Sequence, residues 1–121
     1  MNAHSLQMPG IDHIRAHFVA LLEDRKAGIA QHALAAWDGE TVEDINSHLE
    51  HARNTLHQIA GTAGTLGFDA LGATAERCEA QINAHLDGPY ADLAICPGEI
   101  IWCIDTFVEA CTSIIEASGS T

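Results

Sequence analysis

Positive charge is what this chain lacks most: 5 Lys plus Arg stand against 17 Asp plus Glu, a formal net charge of -12. Such a surface repels phosphate backbones and anionic headgroups, which argues against nucleic acid or a membrane surface as partner. A protein partner with a basic or mixed face remains compatible. Aromatic residues make up only 5%, too few for a protein that works by stacking bases. The four cysteines, Cys78, Cys96, Cys103 and Cys111, form no CxxC pair, so zinc-finger and redox motifs are not expected. They read as reduced, mostly buried filler. No uncharged apolar run reaches membrane-spanning length. The N-terminal MNAHSLQMPG has neither the basic start nor the apolar stretch of a signal peptide, so a cytoplasmic protein is expected. A glycine-rich phosphate loop followed by Lys is missing as well, and with it any ATP site.

What is present is an apolar fraction of 47% over 121 residues, enough for one domain with one core. Valine is scarce and no segment alternates with period two. Helical spacing appears four times. The first segment, about Ile11 to Trp37, carries Ile11, Ile14, Phe18, Leu21, Leu22, Ile29, Ala33 and Ala36 along one stripe. Gly28 inside it reads either as a loosening or as room for a close helix approach. The second opens on the capping-box-like Thr41-Val-Glu-Asp44 and carries Ile45, Leu49, Ala52, Leu56, Ile59, Ala63 and Leu66, with Gly67 suited to end it. Asp69 suits the cap of a third helix, Ala70 to about Leu86. Asp87-Gly88-Pro89 reads as a turn, and Tyr90 to Cys96 as a loop or short helical turn. Pro97 suits the first turn of a fourth helix, which runs to about Ala117. These elements predict an all-α, antiparallel up-down-up-down four-helix bundle over residues 11–117. Residues 1–10 are expected to be a flexible N-terminal segment and 118–121 a disordered tail. Trp37 and Trp102 are expected to pack at helix ends or between helices.

Eight histidines are many for this length, and one stands apart. On the wheel of the second helix the apolar stripe centres roughly 130° from His57, which therefore faces solvent. Glu50 and Arg53 lie behind it at nearly the same azimuth, and Gly61 and Gly64 ahead of it. An interior helical glycine costs about 0.5–1 kcal/mol relative to alanine. Bearing that cost beside an exposed histidine suits a face that another molecule must approach closely. The plainer reading is that the glycines admit a neighbouring helix of the same bundle, but both point away from the stripe. No residue from Asn54 through Phe68 carries a fixed charge. The strip around His57 is bare in an otherwise acidic chain.

The segment His57-Gln-Ile-Ala-Gly-Thr-Ala-Gly-Thr-Leu-Gly67-Phe68 resembles the signature of histidine-containing phosphotransfer (HPt) domains. That signature is a histidine, two residues, usually Lys, then Gly, with a further Gly ten residues after the histidine. His57, Gly61 and Gly67 match it, and Thr62 and Ala63 match the small residues that follow. Ala60 stands where the family usually has Lys, leaving Arg53 as the nearest fixed positive charge. The resemblance implies that His57 takes a phosphoryl group from the aspartyl phosphate of a receiver domain and passes it to another receiver. The receivers would be those of hybrid histidine kinases and response regulators. It implies a docking face over Gln58, Ala60, Gly61, Gly64 and Gly67. No cofactor or metal of its own is implied, magnesium being expected on the receiver. The chain is then a monomeric carrier rather than an enzyme. Geometry adds one residue: with the second and third helices antiparallel about Phe68, the level of His57 mirrors to about Glu79. That carboxylate could accept a hydrogen bond from one imidazole nitrogen and leave the other free to attack.

Two other readings compete. One is a metal-binding bundle: His13 and His17, Asp44 and His48, and His48 and His51 are spaced to share helix faces. The Glu-x-x-His pairs of di-iron bundles are absent, and His48 and His51 read more simply as a solvated polar face. The other is an interaction module that binds receivers without being phosphorylated, for which Ala60 is the only support. His4, His32 and His85 read as surface residues without a role.

Overall fold

The computed structural model describes residues 9–119, which form four helices: α1 (Pro9–Trp37), α2 (Val42–Ala63), α3 (Asp69–Leu86) and α4 (Gly98–Gly119). Helix α2 packs on α1 and α3, and α4 closes the ring between α3 and α1. Neighbouring helices run antiparallel. Arg15 and His32 of α1 meet Leu66 just past α2 and His48 within it, and Arg53 and His57 of α2 meet Asn83 and Glu79 of α3. The expected all-α four-helix bundle is the observed one.

The stripes explain why. Leu22, Ile29, Ile45, Leu49, Leu56, Ile59, Leu71, Ile82 and Phe107 are almost fully buried at the common centre, each large side chain contributing about 1.5–3 kcal/mol relative to exposure. Thr41 caps α2, its hydroxyl accepting from the Asp44 backbone N–H at 3.1 Å. The helical ladder ends at Ala63 rather than Leu66, and Gly64–Gly67 form a closing turn. In it the Phe68 N–H donates to the Ala63 carbonyl at 2.8 Å and the Gly67 N–H to the Gly64 carbonyl at 3.2 Å. This is a Schellman closure, and it needs the left-handed backbone that Gly67 supplies with φ +90°. Phe68 then stacks on Phe18 of α1, with ring centroids 5.4 Å apart.

Several expectations are corrected. Helix α1 takes in Pro9 and Gly10, and α4 takes in Ser118 and Gly119, so the bundle is longer at both ends than 11–117. His4 and the rest of residues 1–8, with residues 120–121, lie outside the described residues. Asp69 is the first helical residue of α3 rather than its cap; Phe68 holds the cap position without a side-chain bond. Tyr90 to Ala94, left open between a loop and a short helical turn, forms turns and a bend, and Ile95 and Cys96 have no regular structure. Ile11 and Ile14 are exposed. Arg15 already lies level with Leu66, so the turns before it overrun the end of α2. Gly28 admits no close helix, since a Cβ there would meet nothing within 4 Å. The glycine that does is Gly72, buried in α3, where a Cβ would lie 3.4 Å from the Gly64 nitrogen. Trp37 and Trp102 are exposed, the latter by 75%.

The histidines also differ. His85 is buried, with Nε2 lacking a hydrogen-bond partner. His32 is half-buried, its Nδ1 2.9 Å from Nδ1 of His48 and its ring stacked on His51 with centroids 4.9 Å apart. Histidines expected to be solvated separately thus join across α1 and α2. Among the described residues, no group of three or more His, Cys, Asp and Glu side chains is arranged to hold a metal ion.

Candidate functional site

His57 sits on α2 between Leu56 and Ile59, both fully buried. Those two anchors fix the helix rotation, and the rotation turns the imidazole outward with 74% of its side chain exposed. Its Nδ1 lies 2.7 Å from Oε2 of Glu79 on α3. Glu79 is the more sheltered partner, with 20% of its side chain exposed. Cys78 beside it is buried, and the carboxylate projects from that anchored turn along the α2–α3 groove. A carboxylate at Nδ1 favours the tautomer that carries the proton there, which leaves the lone pair on Nε2. The result is an exposed imidazole, oriented on α2 by the Glu79 carboxylate.

The surroundings of His57 are open. Gln58, Gly61, Gly64 and Gly67 are exposed. A Cβ placed on Gly61 or Gly64 would meet nothing within 4 Å. The glycines therefore do not serve packing within the bundle, which disposes of the plainer reading of them. Ala60 differs from the other expected docking positions: it is half-buried against the core, on the side of α2 that meets Gly72.

Arg53 is near but otherwise engaged. Its guanidinium donates to Asn83 Oδ1 at 3.3 Å and to Asn54 Oδ1 at 3.4 Å. Asn83 lies one turn beyond Glu79 on α3, so two adjacent turns of α2 are each tied to α3, one through Arg53 and one through His57. Sequence reasoning missed Asn83, although the mirror argument that found Glu79 also pairs residue 53 with residue 83. It missed Arg15 too, whose Nε donates to the Leu66 carbonyl at 2.7 Å. That bond satisfies an acceptor at the end of α2, and the guanidinium charge suits the negative end of the helix dipole. No local pattern marks Arg15, because its partner is 51 residues away.

The family model for the Hpt domain matches residues 13–113. The chain belongs to the Hpt domain family. As an Hpt domain protein it has a histidine phosphotransfer role in two-component phosphorelays, where such domains carry phosphoryl groups and interact with receiver domains. The match takes in all of α2 and α3, and with them His57, Glu79, Arg53 and the glycines. No curated protein and no solved structure matches the chain. No helix among the described residues is long and apolar enough to cross a membrane.

Proposed function

We propose that His57 is the phosphoacceptor, taking a phosphoryl group from a receiver-domain aspartate and passing it to another receiver. The observation that carries this reading is the exposed imidazole whose Nδ1 is held by Glu79. The Nε2 lone pair attacks phosphorus as the bond to the aspartate oxygen breaks. The product is a phosphoramidate and a free aspartate carboxylate. The proton stays on Nδ1, where Glu79 offsets the positive charge that develops on the ring. Phosphoryl transfer needs chiefly in-line positioning and charge neutralisation. The receiver supplies its magnesium ion and acidic pocket; this chain supplies the oriented imidazole.

The receiver docks over Gln58, Gly61, Gly64 and Gly67, where missing side chains let its active-site rim reach Nε2. The exposed Ile11 and Ile14, at the end of α1 that meets Leu66, extend this face with apolar surface. Arg53 contributes positive charge behind His57 while held by Asn83, and it stands in for the Lys that Ala60 replaces. The protein acts in the cytoplasm as a monomer.

The test is incubation with phosphorylated receivers. Acid-labile label should appear on the wild type and be absent from His57→Gln. Receiver binding without label on any residue would favour the interaction-module reading, and label that persists in His57→Gln would place the acceptor elsewhere.

A further inference from the structure

Cys78 of α3 and Cys103 of α4 face each other across the α3–α4 groove, which adjoins the α2–α3 groove that holds His57. Their sulfurs are 2.8 Å apart, the Cys78 thiol donating to Cys103. The two sulfurs need close by only about 0.8 Å to reach the length of a disulfide bond. All four cysteines are free thiols, but the other two lack this arrangement: Cys96 and Cys111 are buried singly.

The two partners are unequal. Cys78 is buried, and burial, reinforced by its bond to Cys103, pushes its thiol well above the usual range. Cys103 is half-buried and opens onto a cavity of about 300 Å³ lined by Arg77, Gln81, Glu99, Trp102 and Thr106. One sulfur thus borders a cavity that Arg77 also lines, and a second waits behind it. That is the arrangement of an oxidisable cysteine with a resolving partner.

We propose that Cys103 and Cys78 form a reversible disulfide across the α3–α4 groove, with a hydroperoxide as oxidant. The Cys103 thiolate attacks a peroxide oxygen, the O–O bond breaks, and Cys103 becomes a sulfenic acid with release of water or an alcohol. The Cys78 sulfur then attacks the Cys103 sulfur. The S–O bond breaks, the Cys78 proton leaves with the hydroxyl as water, and the disulfide forms. Two thiols are oxidised by two electrons in total and one peroxide is reduced. A small dithiol reverses the reaction by exchange. The inference stands independently of the phosphorelay reading. Cys78 immediately precedes Glu79, so the bond would tie down the turn of α3 that carries the partner of His57.

The experiment is titration of the whole protein with hydrogen peroxide, followed by acid quench, alkylation and non-reducing peptide mapping. The expected result is a fall from four free thiols to two, a Cys78–Cys103 link within one chain, and return to four thiols on adding dithiothreitol. Cys103→Ser should keep all three of its thiols under the same exposure. Cys78→Ser should accumulate sulfenic and then sulfinic acid on Cys103. Four thiols surviving in the wild type would overturn the proposal, as would a link through Cys96 or Cys111, or one between chains.

Discussion

The residue scale turns on what surrounds one imidazole. A hydrogen bond to a charged group contributes about 1.5–3 kcal/mol, and part of the Glu79 bond should be felt in the transition state as the ring gains charge. Glu79→Ala is expected to slow transfer by about tenfold, roughly 1.4 kcal/mol, with the fold unchanged by circular dichroism. Transfer at the wild-type rate would remove Glu79 from the mechanism. Arg53 is tested by Arg53→Ala, expected to slow transfer by a smaller factor, because its guanidinium is committed to Asn83 and Asn54. Asn83→Ala should reproduce part of that loss if Asn83 is what holds Arg53 in place. Full-speed transfer by Arg53→Ala would show that the guanidinium has no role.

Helices are the scale at which the glycines can be told apart. Gly61 has a helical place and open space around it, so Gly61→Ala is expected to stabilise the fold by about 0.5–1 kcal/mol. A larger side chain there should obstruct the partner instead. Gly61→Leu is expected to slow transfer from a phosphorylated receiver while leaving labelling by a small phosphoramidate donor unchanged. Equal loss with both donors would mean that the substitution damages His57 rather than docking. Gly72 should behave in the opposite way. Its Cβ position already lies 3.4 Å from the Gly64 nitrogen and 3.6 Å from the Ala60 carbonyl oxygen, so Gly72→Val is expected to destabilise by about 1–3 kcal/mol through overpacking, read as a lower urea midpoint.

For the whole molecule the histidine group between α1 and α2 sets a pH dependence. Burial, with His51 and His48 nearby, lowers the His32 pKa below its ordinary 6.5. The unfolded chain therefore binds more protons at this position when the pH falls below that value. The stability linked to His32 is complete above about pH 6.5, and is lost as the pH falls from there through the lower folded-state pKa. Urea midpoints measured between pH 7.5 and 5 should drop more steeply for the wild type than for His32→Gln. Parallel curves would show that His32 titrates alike in both states.

Much of this protein was legible in the sequence because helical periodicity is local. The stripes of α2 and α3 are set by residues three and four apart, and they are enough to turn His57 outward and bury Leu56 and Ile59. Gly67 is legible for the same reason, as a helix end needing a left-handed residue. Even Glu79 was within reach, since so short a turn between α2 and α3 fixes their register. Tertiary structure alone decided the remainder, because it depends on which face of one helix another covers. The turns between Asp87 and Pro97 do not fix where α4 begins against α3. The exposure of Trp102 and the meeting of Cys78 with Cys103 therefore had to be seen. The overrun of α1 past α2 exposes Ile11 and Ile14 and brings Arg15 to Leu66, and the ring of four helices buries His85. Sequence determined the helices and which of their faces are apolar; packing decided their register, and with it the partners each polar side chain found.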